Sequence, residues 1–160
     1  ARQAYDATVM STEKGGPEGT DMQSIVNAEI HYSKGMNLLK RKEYGPAVKA
    51  FQQAVEMNSK EADYFAHLGW ALFKDGTSPG VKDKAKEFLR KAIDLNPKTD
   101  RPYVFLGNIY KAEGQVEKAE QQFEAAIKCN PDNLDAMREI RMSTLRKEKD
   151  QTIWKKMFKK

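Results

Sequence analysis

The chain has 160 residues, of which 39% are hydrophobic and 32% are charged, and its formal net charge is +5 at pH 7. This length suits one compact domain or one short helical array, and no apolar run approaches the roughly 20 residues of a membrane-spanning helix. A single cysteine, Cys129, excludes an internal disulfide framework. We therefore expect a soluble cytoplasmic protein in a reducing compartment.

The first residues differ in composition from the rest of the chain. Residues 1–20 contain the run Gly15-Gly16-Pro17-Glu18-Gly19 and few large apolar side chains, which predicts a linker or disordered segment. They also lack the basic, apolar and small-residue order of a secretion signal. From Asp21, a candidate N-cap, the pattern predicts a long helix that ends at the Arg41-Lys42 turn. Its apolar side chains are Ile25, Ile30, Met36, Leu38 and Leu39.

The first helix and the five helices predicted after it form three pairs, and one final helix follows them. Gly45-Pro46 opens a helix that runs to about Met57. The second pair is predicted over about 61–74 and 80–95, with a turn lengthened by residues 76–79, and the third pair over 101–112 and 115–128. Asp100 is the expected cap of the helix that follows it. Leu134, Met137, Ile140 and Leu145 then predict an amphipathic helix over 134–148 that covers the last apolar face.

A glycine recurs in the first helix of each pair, at Gly35, Gly69 and Gly107. Glycine inside a helix costs about 1 kcal/mol relative to alanine, so close approach of the paired helix must compensate. We expect small side chains to face these glycines and larger ones to fill the space between successive pairs. The small residues are Ala47, Ala85 and Ala119, and the larger ones are Phe51, Leu89 and Phe123. The period near 34 residues predicts an all-α repeat array, and three unrelated hairpins in a bundle are the alternative.

These recurring residues resemble the consensus of the tetratricopeptide repeat, W-x2-L-G-x2-Y followed by A-x3-F and P. Repeats over about 28–61, 62–99 and 100–133 match it, and the first departs at Lys34 and Ser59. The matching residues of the third repeat are Tyr103, Leu106, Gly107, Tyr110, Ala119, Phe123 and Pro131. The resemblance covers a domain over 21–148 and implies a right-handed superhelical array of antiparallel helix pairs. It implies a concave groove for an extended peptide or a partner helix, and no catalysis.

Some members of this family serve heat-shock chaperones and hold a C-terminal carboxylate with two Lys, two Asn and one Arg. By register, the equivalent positions here are Tyr32, Met36, His67, Arg101 and Phe105. Only Arg101 fits that set, so we expect this clamp to be absent. The resemblance implies part of a larger scaffold or a co-chaperone-like protein.

A second and shorter resemblance lies at the start of the chain. Arg2 and the run Ala4-Tyr5-Asp6 resemble the end of a J-domain in bacterial proteins that place helical repeats after it. This resemblance implies a bacterial parent protein with a J-domain before the repeats.

The first helices of the pairs are expected to supply the groove. Its predicted partner-binding residues are Tyr32, Met36, Asp63, Trp70, Phe73, Lys74, Arg101, Asn108 and Lys111. The same helix faces also carry Glu29, Leu39, Lys40, Ala66 and Val104. Trp70 is the expected anchor, because Trp, Tyr and Arg carry most of the binding energy in protein interfaces. The alternative is that Trp70 packs on a neighbouring helix or beneath the terminal segment.

The last residues, 149–160, predict a basic amphipathic tail helix. Its apolar face carries Ile153, Trp154, Met157 and Phe158, and its other face carries Lys155, Lys156, Lys159 and Lys160. We expect this tail to continue the terminal helix and to pack on the array or on a second copy, which would make self-association possible. Docking on an anionic membrane or a nucleic acid is the alternative, which we disfavour on sequence alone.

The sequence carries no motif of an enzyme or a metal site. His31 and His67 are the only histidines, and no Ser-His-Asp order, His-x3-His spacing, cysteine pair or glycine-rich phosphate loop occurs. We therefore expect no catalysis, no cofactor, no metal and no small-molecule substrate. The expected ligand is a protein or a peptide.

Overall fold

The computed structural model describes residues 21–158, and within that range all regular secondary structure is α-helical. The seven helices are α1 (Met22–Lys40), α2 (Tyr44–Met57), α3 (Ala62–Asp75), α4 (Val81–Leu95), α5 (Arg101–Ala112), α6 (Val116–Cys129) and α7 (Leu134–Phe158). The predicted linker, the J-domain-like residues at the start, Lys159 and Lys160 lie outside the described residues.

Consecutive helices form three stacked pairs. α1 packs on α2, α3 on α4 and α5 on α6, and the turns within these pairs are three to five residues long, so the paired helices are antiparallel. Each pair also contacts the next, through α2 with α3 and α4 with α5, and α7 packs on α6. The prediction of an all-α array of helix pairs is confirmed, with the extra length of the second pair lying between α3 and α4 as expected.

The three repeated glycines lie where the paired helix comes closest. A methyl group added at Gly35 would lie 2.6 Å from Cε1 of Phe51, and one added at Gly107 would lie 2.6 Å from Cε1 of Phe123. At Gly69 the nearest atom would be the carbonyl oxygen of Ala85, at 2.8 Å. The alanine that was predicted to face the glycine is therefore the nearest residue at Gly69. At the other two glycines an aromatic ring fills the space that the missing side chain leaves.

Those rings also join each pair to the next, as the sequence predicts. Phe51 lies in one buried cluster with Leu68 and Ala71 of α3, and Phe123 lies in another with Ala136 of α7. Both phenylalanines are almost completely buried. Burying a side chain of this size contributes about 1.5–3 kcal/mol, so each ring is a large part of the stability of its repeat.

Helix α1 buries two small residues and leaves its two isoleucines exposed. Ile25 and Ile30 are 38% and 60% exposed, whereas the buried residues of the helix are Ala28 and Gly35. The reason is positional, because no helix pair among the described residues precedes α1 and covers that side. The departure from the repeat consensus at Lys34 lies in this helix, and its side chain is exposed.

One left-handed residue follows the first helix of every pair, seven positions after the repeated glycine. It is Lys42 (φ 61°), Gly76 (φ 60°) and Gly114 (φ 75°) in the three repeats. Left-handed backbone costs a residue with a Cβ roughly 1–2 kcal/mol, so glycine is the favoured residue at this position and Lys42 is strained.

The terminal helix α7 is continuous through the predicted cap and the described part of the predicted tail. It is attached to the array by Glu139, which accepts a hydrogen bond from Lys111 at 2.6 Å, and by Ser143 and Lys147, which both donate to Glu120. Every residue from 148 to 158 is exposed. The expectation that the tail continues the terminal helix is confirmed, but the expectation that it packs on the array of its own chain is wrong.

Candidate interaction groove

A row of aromatic rings crosses the first helices of the three pairs. Tyr32 of α1 meets His67 of α3 edge-on, with ring centroids 5.4 Å apart, and His67 meets Phe105 of α5 edge-on at 5.8 Å. Phe105 stacks on Trp70 at 4.6 Å, and Phe73 follows Trp70 at 5.5 Å. We call these five residues the aromatic row. They come from three separate helices, α1, α3 and α5, so only the stacking of the pairs brings them together.

His67 is the buried centre of the aromatic row. Its Nδ1 lies 2.9 Å from the carbonyl oxygen of Asp63 and 3.1 Å from the hydroxyl of Tyr32. A carbonyl oxygen can only accept, so Nδ1 carries the proton and donates a hydrogen bond to the backbone carbonyl of Asp63. Burial lowers the pKa of His67 below the ordinary histidine value of 6.5, which keeps the ring neutral at pH 7. The position equivalent to one residue of the carboxylate clamp therefore carries no charge.

Burial also acts on the hydroxyl of Tyr32. Loss of solvent, with the nearby carboxylate of Asp63 as a second cause, raises the pKa of Tyr32 to about 12. Tyr32 is therefore a neutral hydrogen-bonding group at physiological pH. Tyr32 and His67 are therefore both uncharged at physiological pH.

Charged side chains lie beside the aromatic row. Arg101 forms an ion pair with Asp63, with Nη1 and Oδ1 3.4 Å apart, and both side chains are 47% exposed. Nζ of Lys74 lies 5.4 Å from the ring centroid of Trp70. An exposed ion pair contributes about 0–1 kcal/mol, so a ligand with charged groups can replace either partner at little cost.

The structure brings most of the predicted groove residues together, but not all of them. Tyr32 reaches Trp70 through His67 and Phe105, Trp70 also contacts Phe73 and Lys74, and Asp63 pairs with Arg101. Met36 packs against the buried cluster around Phe51, Asn108 is half-buried on α5, and Lys111 is held by Glu139 of α7. Ala66 and Val104 are buried, so the expectation that their side chains line the groove is wrong.

The structure supports the interpretation that Trp70 packs on a neighbouring helix, and its role as a binding anchor stays a prediction. It packs on a neighbouring helix through Phe105, and its side chain is still partly exposed. His67 and Phe105 are absent from the predicted groove residues, although both were identified as clamp positions that do not fit. The signal for Phe105 was present in the sequence, because it follows Arg101 by four residues and therefore shares its helix face.

The first turn of α5, where Arg101 lies, is fixed by Asp100. Its backbone carbonyl accepts from the amides of Tyr103 and Val104, as at an N-cap, but its carboxylate makes no capping hydrogen bond. The carboxylate instead accepts from Asn130 at 2.8 Å and from Asn133 at 2.7 Å. Burial opposes ionisation of this group, but the two Asn side chains together with the backbone amides of Asp100 and Arg101 outweigh it and lower the pKa of Asp100.

Two findings bear on other functions. Within residues 21–158, no group of three or more His, Cys, Asp or Glu side chains is placed to hold a metal ion. None of the helices described for this chain has the length and apolar character of a membrane span.

Comparison with known proteins identifies the repeat. Models described as tetratricopeptide repeat match residues 28–61 and 83–141. The photosystem I assembly protein Ycf3 of Cyanophora paradoxa is 30% identical over 121 residues, which are 66% of this chain and 69% of that protein. The small glutamine-rich tetratricopeptide repeat-containing protein 2 of Mycosarcoma maydis is 25% identical over 69% of this chain, and the Hsp70-Hsp90 organizing protein of Triticum aestivum is 28% identical over 71%. The chain spans only 30% and 19% of the lengths of these last two relatives.

Solved structures share the fold. The Sgt2 TPR domain from Aspergillus fumigatus superposes with a TM-score of 0.70 at 20% identity, covering 86% of this chain and 88% of that one. The first TPR of Spaghetti (RPAP3), bound to the HSP90 peptide SRMEEVD, has a TM-score of 0.67 at 19% identity and covers 76% of this chain and 94% of that one.

Proposed function

This chain belongs to the tetratricopeptide repeat family, and from that premise we propose that it is a non-catalytic module that binds an extended peptide or a partner helix along the aromatic row. The observation that carries this proposal is the parallel stack of Trp70 on Phe105, which is partly exposed and lies beside an accessible ion pair. Co-chaperone-like work within a larger scaffold fits the relatives named above, which include an Hsp70-Hsp90 organizing protein.

The stack supports binding because it is already ordered without a ligand. Two side chains that are held rigid before binding lose little entropy when a partner packs on them. Aromatic residues at the centre of an interface contribute about 2 kcal/mol or more each when they are fully desolvated. A ligand that covers the open side of Trp70 would desolvate it in this way.

The charges beside the stack indicate the chemistry of the partner. Asp63 and Arg101 are half-exposed and offer one group of each sign, and Lys74 adds a further positive charge next to Trp70. We therefore expect a ligand segment with an apolar anchor and at least one acidic side chain. Recognition of a free C-terminal carboxylate is not part of this proposal, because four of the five positions equivalent to the carboxylate clamp carry uncharged side chains: Tyr32, Met36, His67 and Phe105.

The direct test is selection followed by mapping. Linear peptides would be selected from a random display library against the full chain, and a selected peptide would be titrated into the isotope-labelled protein. We expect backbone NMR shifts to move around Trp70 and Phe105 on α3 and α5. Failure to select any peptide, or shifts confined to α7, would contradict the proposal.

A further inference from the structure

The free end of α7 carries a cluster of large apolar side chains that is open to solvent. Ile153, Trp154, Met157 and Phe158 are 45%, 64%, 72% and 63% exposed. The rings of Trp154 and Phe158 lie 5.2 Å apart, so the four side chains form one continuous patch. We call these four residues the tail cluster.

Nothing in the described part of the same chain covers the tail cluster. The attachments of α7 to the array end at Lys147, which donates to Glu120 at 2.7 Å, and the helix continues beyond that point for two further turns or more. Exposed large apolar patches of this kind commonly mark docking sites. Its occupant must therefore come from outside the described residues.

The charges on the same segment select among the occupants. Lys155 and Lys156 lie between the apolar residues in sequence and on the opposite side of the helix, Lys149 lies two turns earlier, and the sequence continues with Lys159 and Lys160. In the described part of the tail, Asp150 is the single acidic residue after Glu148. An aromatic and aliphatic face with a lysine-rich opposite face is the pattern of a helix that lies in the surface of an anionic bilayer.

We propose that the tail cluster docks α7 on an anionic lipid bilayer, with the four apolar side chains inserted at the level of the headgroups and the lysines paired with lipid phosphates and carboxylates. This surface is separate from the aromatic row, so a peptide bound there and a membrane bound at the tail could be held at the same time.

Two other occupants fit less well. A second copy of the chain would bring positive charge against positive charge, because two tails repel each other and the charged residues described beside the aromatic row are Lys74, Arg101 and the single carboxylate of Asp63. The shallow depression along α1 is also lined by Lys34 and Arg41, with Glu29 as its acidic residue. A nucleic acid would engage the lysines but would leave Ile153 and Met157 in water.

The test uses fluorescence of the full chain. The chain has two tryptophans, so Trp70→Phe leaves Trp154 as the single indole fluorophore. Vesicles of phosphatidylcholine alone and of an equimolar mixture with phosphatidylserine would be added to this variant. We expect a blue shift of the Trp154 emission and at least tenfold more sedimented protein with the anionic vesicles. The effect should disappear at about 1 M salt, where the Debye length is about 3 Å.

Matched variants separate insertion from charge. In the Trp70→Phe background, Met157→Ser with Phe158→Ser should abolish the blue shift, and Lys155→Glu with Lys156→Glu should abolish sedimentation. Lys82→Glu with Lys84→Glu reverses the same number of exposed lysines on α4 and should leave both signals unchanged. Circular dichroism would show that each variant keeps its helix content.

Several results would overturn the proposal. Equal binding to neutral vesicles, or binding that both tail variants retain, would show that the tail cluster is not a lipid site. A blue shift that grows with protein concentration before any vesicles are added would assign the cluster to a second copy. A blue shift with a single-stranded oligonucleotide and none with vesicles would assign it to nucleic acid.

Discussion

The indole of Trp70 and the ring of Phe105 stack with their centroids 4.6 Å apart and their planes 8° apart. Trp70 belongs to α3 and Phe105 to α5, so this contact joins the first helices of two consecutive repeats. The stack is therefore both a packing contact between repeats and the most prominent partly exposed apolar feature beside the ion pair of Asp63 and Arg101. A ligand bound there would contact both repeats, so its affinity would depend on their relative position.

The chain should not recognise a peptide through its terminal carboxylate. SRMEEVD with a free carboxylate and the same peptide with an amidated C-terminus should bind with affinities that agree within about threefold, because the residues of the carboxylate clamp other than Arg101 are absent. A charge-assisted hydrogen bond to the carboxylate would be worth about 1.5–3 kcal/mol if it formed. Fluorescence anisotropy with labelled peptides would measure both. A more than tenfold loss of affinity on amidation would contradict this prediction and reveal a site for the terminal carboxylate.

A methyl group at the third repeated glycine should destabilise the fold. Gly107→Ala places a Cβ 2.6 Å from the ring of Phe123, and overpacking of a core costs about 1–3 kcal/mol, against about 1 kcal/mol regained from helix propensity. We expect a net loss of up to about 2 kcal/mol in urea unfolding. Gly45→Ala is the control, since its nearest neighbour would lie at an ordinary 3.5 Å. Equal behaviour of the two variants would show that the glycine is not required for close packing.

The turn after α1 can be improved. Lys42→Gly should raise the free energy of unfolding by about 0.5–1 kcal/mol, because relief of the left-handed strain exceeds the added entropy of the unfolded chain. The reverse change at the equivalent position, Gly114→Lys, should lower it by about the same 0.5–1 kcal/mol. Thermal unfolding would measure both. A lower melting temperature for Lys42→Gly would mean that the lysine side chain makes a contact that outweighs the strain.

Stability should fall in mildly acidic solution because of His67. Its pKa is lowered in the folded state, so the unfolded chain takes up the proton first. The contribution of the neutral ring is complete above the unfolded pKa of about 6.5 and is lost as the pH falls through the folded pKa. The pKa values of Asp100 and Glu120 are also lowered, but from 3.8 and 4.5, so their losses come at lower pH.

The variant His67→Gln tests this assignment. It removes the titrating ring and keeps a side chain that can donate a hydrogen bond, so the slope of unfolding free energy against pH should be shallower than in the parent between pH 7 and pH 5. Urea unfolding at several pH values would measure the slopes. Identical slopes would place the acid-sensitive group elsewhere.

The helix pairs were predictable from the sequence because the repeat constrains them. The alanine follows the glycine by 12 residues in the first and third repeats and by 16 in the second, and the Asn-Pro stops of the second and third repeats each begin 11 residues after that alanine. The predicted bounds of the paired helices agree with the structure to within about one residue. The partner of each glycine was less predictable. Whether an alanine or a phenylalanine lies over Gly35 depends on the rotation of α2 about its own axis, which spacing alone does not determine.

The aromatic row was only half visible in the sequence. Trp70 and Tyr32 are recognisable as helix-face residues, but the stack on Phe105 depends on how α3 and α5 approach each other. The exposure of Ile25 and Ile30 was not predictable for a related reason, because periodicity shows that a helix has an apolar face but not whether a neighbour covers it. The same holds for the apolar face of the tail at the other end of the array, which is also exposed.

The most direct test of the central claim compares the chain's two tryptophans. Isothermal titration of one selected peptide would be carried out with the parent chain, with Trp70→Ala and with Trp154→Ala. We predict that Trp70→Ala weakens binding by about 30-fold, corresponding to about 2 kcal/mol, in a chain that stays folded at the temperature of the titration, while Trp154→Ala binds as the parent does. Unchanged affinity of Trp70→Ala, or an equal loss in Trp154→Ala, would contradict peptide binding along the aromatic row.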